Sequence, residues 1–149
     1  MLKVLIADDE PYVREGIKNI FPWNEFGFEI CGEGTDGDDT YKKIFELNPD
    51  LVFIDIRMPG KLGVDVIRES VHNGFKGKFI IISGYSDFQY AKIAIKYGVK
   101  SYLIKPIDED ELYDIVVNLK NEIEEEKNKI RNTEIQKNML RNIPYLNLC

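Results

Sequence analysis

The sequence predicts an α/β fold, a doubly wound parallel sheet of five strands, and three observations predict it. Short apolar runs alternate five times with segments whose apolar residues recur at helical spacing. The first, third and fourth runs are continuous stretches of Val, Ile, Leu and Phe, as in strands covered on both faces. Four runs also stop at a polar residue. Lys3-Val4-Leu5-Ile6-Ala7 ends in Asp8-Asp9, Leu51-Val52-Phe53-Ile54 in Asp55, Phe79-Ile80-Ile81-Ile82 in Ser83, and Ser101-Tyr102-Leu103-Ile104 in Lys105-Pro106. Parallel strands would bring these ends to one edge, where open α/β sheets place their sites.

The first strand covers residues 3–7. Pro11, favoured in a first helical turn, opens the first helix, with Val13, Ile17, Ile20 and Phe21 on one face. The second strand is 28–33. Gly34-Thr35-Asp36-Gly37 then turns into a second helix, which is expected to bury Tyr41, Ile44, Phe45 and Leu47 and to stop before Pro49. The third strand is 51–55. The third helix spans 63–71 and ends at Asn73-Gly74, which makes His72 a loop residue. The fourth strand is 79–83. Asp87 is placed as the N-cap of a fourth helix that runs to Tyr97-Gly98. The fifth strand is 101–105, and the fifth helix begins after Asp108.

That last helix runs long. Leu112, Ile115, Val116, Leu119 and Ile123 form a core face, and a seam of alternating four- and three-residue steps continues to Ile130, broken by Glu126 and Thr133. From residue 110 to 130 a helix would be about 30 Å long, more than five-residue strands need. Beyond about Asn121 the chain reads either as a frayed, solvated helix or as a short coiled coil. The domain division expected is 1–120 and 121–149, with the tail Ile143-Pro144-Tyr145-Leu146-Asn147-Leu148-Cys149 as a linker or the start of a further region.

Composition narrows the function. At 149 residues and 44% hydrophobic, the chain can bury one core. No run approaches the roughly 18 apolar residues of a membrane span, and Met1-Leu2-Lys3 leads straight into a strand, so a cytoplasmic protein is expected. Cys31, in an apolar strand, is read as a small core residue and not as a disulfide partner of Cys149. The net charge of −6 offers no basic face for nucleic-acid phosphates, so this chain is not expected to bind DNA itself.

These strand ends resemble the receiver domain of two-component response regulators over about residues 1–120. Asp55 matches the phosphoacceptor, Asp8 and Asp9 the acidic pair, Ser83 the hydroxyl, Tyr102 the switch aromatic and Lys105 the lysine. Met58-Pro59-Gly60 and Lys105-Pro106 also fit. The wording Ser83-Gly84-Tyr85-Ser86-Asp87-Phe88 is most similar to receivers attached to AraC-type transcription factors. The resemblance implies a flavodoxin-like sheet of order 2-1-3-4-5 and a cis Lys105–Pro106 peptide. It also implies Mg²⁺ bound directly by Asp9, Asp55 and the Arg57 backbone carbonyl, with Asp8 acting through water. A sensor histidine kinase is implied as donor, an absent transcription-factor domain as output, and homodimerisation through the fourth helix, fifth strand and fifth helix on phosphorylation. The chain is then a switch, with slow Mg²⁺-dependent self-phosphorylation and autodephosphorylation and no other enzymatic turnover.

The chemistry is consistent with the residues. Carboxylates accept phosphoryl groups, which requires a metal and a fixed cation to offset charge on the transferring oxygens. Three crowded carboxylates would repel one another unless a hard cation sits among them. Lys105 can pair with Asp55 and then with a phosphoryl oxygen. Taken singly, Asp8-Asp9 is a helix-capping turn, Asp55 a loop carboxylate, Ser83 a turn hydroxyl, Tyr102 a packing aromatic and Lys105 a solvated charge; together at matching strand ends they read as a site. His72, the single histidine, offers no phosphodonor. Three alternatives compete. A dehalogenase-like phosphatase would need a general acid at position 57, where Arg57 cannot release a proton. A flavin-binding protein would need a phosphate cradle where Asp8-Asp9-Glu10 repels one. A pseudo-receiver, kept as a protein-interaction module, would lack one of the site residues, and this chain lacks none.

Overall fold

The computed structural model describes residues 1–84 and 87–142. Five strands, β1 (Leu2–Ala7), β2 (Phe28–Gly34), β3 (Leu51–Asp55), β4 (Lys78–Ser83) and β5 (Ser101–Ile104), pair in parallel in the order β2-β1-β3-β4-β5. Five α-helices connect or follow them: α1 (Pro11–Ile20), α2 (Gly37–Leu47), α3 (Gly63–His72), α4 (Phe88–Ile95) and α5 (Glu109–Arg141). Two compact units divide the chain, one from Met1 to Asp114 and one beginning at Ile115, inside α5.

The continuous apolar strands are buried on both faces. Leu5, Ala7, Val52, Ile54, Phe79 and Ile81 join one core cluster with Ile44 of α2, Ile67 of α3 and Ala91 and Ala94 of α4. The intervening residues Val4, Ile6, Phe53, Ile80 and Ile82 are buried too. On that side Trp23 packs edge-on against Phe28 and Phe53, its indole N–H donating to the Ile17 carbonyl at 3.0 Å. Each fully buried Ile or Phe contributes about 1.5–3 kcal/mol, so truncating Ile54 to Ala would cost about 2–5 kcal/mol.

Several local expectations need correction. Phe45 is exposed, because the buried stripe of α2 runs Gly37, Thr40, Ile44 and leaves position 45 a further 100° round the helix; its ring rests instead on Tyr41. His72 is the last residue of α3, not a loop residue. The fourth helix stops at Ile95, since the N–H groups of Lys96, Tyr97 and Gly98 bond three residues back and tighten the last turn. Asp87 stands at the N-cap position of α4 as expected, but its side chain makes no capping hydrogen bond. The last strand stops at Ile104, although the Lys105 N–H still donates to the Ser83 carbonyl at 2.8 Å. Tyr85, Ser86 and the tail from Ile143 lie outside the described residues.

α5 is a single helix of 33 residues, about 50 Å long. Val116, Leu119 and Ile123 are buried in it, whereas Ile130, Ile135, Met139 and Leu140 are exposed. The Glu- and Lys-rich stretch past Asn121 is helical to Arg141.

Two glycines set the neck of the β3–α3 loop. A Cβ on Gly63 would collide with the Asp55 carbonyl, and one on Gly37 with the Lys61 backbone. Without them the chain closes tightly: Gly63 N–H donates to Ile56 O at 2.8 Å and Gly37 N–H to Pro59 O at 3.0 Å.

Candidate phosphoacceptor site

Parallel pairing brings four strand ends to one edge of the sheet. Asp8 follows β1 directly, its N–H held by the Gly34 carbonyl at 3.0 Å; Asp55 ends β3, Ser83 ends β4 and Lys105 follows β5. Lys105 is the centre of the cluster. Its ammonium lies 2.9 Å from Asp8 Oδ2, 3.3 Å from Asp55 Oδ2 and 3.4 Å from Glu10 Oε1. Asp8 is fully buried and Asp55 nearly so, while Asp9 is exposed and Glu10 half-buried.

Burial sets the electrostatics. Desolvation, reinforced by the Asp8 charge and opposed by Lys105 and the Arg57 backbone N–H, pushes Asp55 up to about 6. Asp8 is raised by burial as well, with Lys105 and the Glu10 N–H pulling the other way. For Lys105 burial disfavours the charge, but Asp8 and Asp55 outweigh it and hold the ammonium above its ordinary range. Glu10 is lowered, first by the Tyr12 hydroxyl and then by Lys105.

One carboxylate oxygen here is short of partners. Asp8 Oδ1 accepts from the Glu10 N–H at 2.9 Å, whereas Asp8 Oδ2, though beside the Lys105 ammonium, has no aligned hydrogen bond. A buried anionic oxygen in that position suits a cation. Carboxylate oxygens of Asp8, Asp9 and Glu10 all lie within 4.8 Å of one another, a hard donor set able to hold a metal ion. Asp55 stands outside that trio. Glu10 was not read from the sequence as a ligand, although its place directly after Asp8-Asp9 was the available signal.

The remaining site residues are paired across elements. Ser83 Oγ lies 2.9 Å from the Tyr102 hydroxyl and 3.0 Å from the Gly84 carbonyl oxygen. Lys105–Pro106 is a cis peptide. Arg57, in the β3–α3 loop, forms an ion pair through Nε with Asp87, and its backbone N–H helps to lower the Asp55 carboxyl. Asp87, read as a helix cap, is thus a partner of this loop. No signal local to Asp87 discloses a partner thirty positions away.

Comparison with known proteins agrees with this geometry. Residues 4–117 match the model of the response regulator receiver domain. Over 112 residues, 75% of the chain, it is 42% identical to the transcriptional regulatory protein HptR of Staphylococcus aureus (strain NCTC 8325 / PS 47) and 38% identical to the uncharacterized transcriptional regulatory protein YesN of Bacillus subtilis (strain 168). It spans only 44% and 30% of their lengths. Among solved structures it is similar to the receiver domain of AraT, a response regulator from Geobacillus stearothermophilus (TM-score 0.80, 36% identity, 85% of this chain and 98% of that one). It is also similar to a two-component transcriptional regulator AraC from Clostridium phytofermentans ISDg (TM-score 0.76, 28% identity, 85% and 98%). The chain belongs to the response regulator receiver domain family.

Proposed function

We propose that this receiver domain is switched by phosphorylation of Asp55, with a sensor histidine kinase as donor. The observation that carries the reading is the Lys105 ammonium shared by Asp55 and Asp8 at the carboxyl edge of the sheet, with Ser83 at the end of the neighbouring strand. In the transfer, an Asp55 carboxylate oxygen forms the new bond to phosphorus as the bond to the donor nitrogen breaks and the donor imidazole keeps the electron pair. Lys105 holds Asp55 in place beforehand and offsets charge on a phosphoryl oxygen afterwards. Ser83 can donate to another of those oxygens. Mg²⁺, the usual hard ion beside phosphates, would be held by Asp8 and Asp9 together with Asp55 and the Arg57 carbonyl, with Glu10 within reach, and would neutralise charge on the transferring group. His72, exposed at the end of α3, supports a donor on another protein.

The output belongs to this reading too. The relatives are longer transcriptional regulators, which supports a DNA-binding output domain elsewhere in the parent protein. Phosphorylation would strengthen self-association through the α4–β5–α5 face. Slow self-phosphorylation and autodephosphorylation are the only turnover expected, at a cytoplasmic location. Among the described residues, no helix is long and apolar enough to cross a membrane.

Incubation with acetyl phosphate and Mg²⁺ tests the assignment. The wild-type protein should gain the mass of one phosphate, and Asp55→Asn or chelator should prevent it. Full labelling of Asp55→Asn, or labelling indifferent to chelator, overturns the reading.

A further inference from the structure

Asp87 is 4% exposed, yet its carboxylate makes no cap for the helix it precedes. A carboxylate that deeply placed needs a cation, and Arg57 supplies it through Nε. The same guanidinium lies 5.4 Å from the centre of the Tyr90 ring in the first turn of α4. Arg57 also stands two residues past Asp55, and its backbone N–H helps to lower the Asp55 carboxyl. One residue thus follows closely on Asp55 in the chain and holds the start of α4 with its side chain. That side chain is 58% exposed, so it can change partner without unpacking the core.

A phosphoryl group on Asp55 would present about −1.5 to −2 charges and three acceptor oxygens, against the single charge of Asp87. Arginine's planar fork of N–H donors suits such an oxyanion. Resting on the reading that Asp55 is phosphorylated, we propose that Arg57 exchanges Asp87 for the phosphoryl oxygens and that the first turn of α4 opens in consequence. The opening follows from Asp87. Deprived of its cation, a carboxylate so little exposed must reach water or remain an unpaired buried charge, and removing one partner of a buried pair is the costly way to break it. Arg57 is a positioning residue in this scheme. Its link acts on α4 directly, in the same turn whose Phe88 ring meets Tyr102 edge-on at 6.4 Å.

Amide hydrogen exchange at residues 88–92 reads the link, measured on the full chain with and without beryllofluoride and Mg²⁺. Without beryllofluoride, Arg57→Ala should speed exchange there by about 5-fold or more, the lower end of typical coupling, and Arg57→Lys should restore most of the protection. Adding Asp87→Ala to Arg57→Ala should slow exchange again, since the orphaned charge is gone. Beryllofluoride should speed exchange at 88–92 in the wild-type protein and leave the double variant unchanged. Wild-type protein that binds beryllofluoride with no faster exchange at 88–92, or two substitutions whose effects simply add, overturns the exchange of partners. Failure of the wild-type protein to bind beryllofluoride, or equal binding by Asp55→Asn, instead removes the assignment of Asp55 on which the proposal stands.

Discussion

The Ser83 hydroxyl, at the end of β4, is held by the hydroxyl of Tyr102 on the adjacent strand at 2.9 Å. Ser83 Oγ also lies 3.0 Å from the Gly84 carbonyl, which can only accept, so Ser83 donates there and Tyr102 donates to Ser83. Neither hydroxyl is idle at rest. For Ser83 to donate to a phosphoryl oxygen its hydroxyl must turn away from Gly84, and a Ser83 that moves to reach that oxygen draws its own oxygen away from Tyr102. Any movement of Tyr102 away from Ser83 therefore begins by breaking a specific bond.

Tyr102→Phe removes that bond. A net hydrogen bond is worth about 0.5–1.5 kcal/mol, so beryllofluoride should bind roughly 2- to 12-fold more tightly to the variant. Ser83→Ala should bind it more weakly, having lost the donor. Calorimetric titration checks both, and an unchanged affinity in Tyr102→Phe would take this pair out of the switch.

The metal-free protein should gain stability when Asp55 loses its charge. Its folded value of about 6 stands above the ordinary 3.8, so the native state binds this proton more tightly than the unfolded chain. Below about pH 4 the residue is protonated in both states and contributes no penalty. As pH rises through the interval up to 6 stability is lost, and above it the full penalty applies, about 1–3 kcal/mol. Asp55→Asn should therefore unfold at higher denaturant than wild type at pH 7.5, with the difference closing near pH 4. A difference that widened toward acid would contradict the sign.

Asp9 is exposed, so Asp9→Ala should leave the fold intact while Mg²⁺ binding is lost. Glu10→Gln should weaken binding less, because Glu10 is also engaged by Lys105 and Tyr12. Titration of Mg²⁺ into the three proteins decides, and unchanged affinity in Asp9→Ala would place the ion elsewhere.

Self-association should rise with beryllofluoride by roughly 5- to 150-fold, the usual range of coupling. The α4–β5–α5 face presents exposed Ile95 and Ile104 together with Lys92, Lys96, Asp110, Glu111 and Asp114. Salt should weaken a dimer that pairs these charges. Sedimentation with and without the mimic, repeated on a truncation after Asn121, separates two ideas. Equal association in both states refutes the switch, and an unchanged truncated dimer refutes only a coiled-coil contribution from the exposed Ile130, Ile135 and Met139.

Legibility in the sequence followed the range of each interaction. β3 was bounded correctly because its burial on both faces demands an unbroken apolar run, and an aspartate ends it. The site residues at the strand ends were legible for the same reason, since parallel topology alone aligns them. Phe45 misled because hydrophobicity does not fix helical phase when Ile44 and Phe45 are adjacent. Asp87 was placed correctly at the start of α4, but the partner of its carboxylate, Arg57, lies thirty positions away and out of reach of a local pattern. Glu10 pairs with Lys105, ninety-five positions on, a partner that no local pattern discloses. Both readings of residues 121–141, a solvated helix and a coiled coil, were helical, because Glu and Lys favour helix without saying what covers it.

The glycine-closed neck of the β3–α3 loop has a mechanical consequence. A loop whose two ends are free dissipates a displacement among many soft torsions. Here Gly63 ties back to Ile56, and Gly37 to Pro59, around the segment that carries Arg57. Few torsions remain to absorb a shift at Asp55, so the segment behaves as a lever with its fulcrum at the neck. A side chain at 63 would press on the Asp55 carbonyl and force that closure apart, so a displacement of Asp55 would spread into freed torsions.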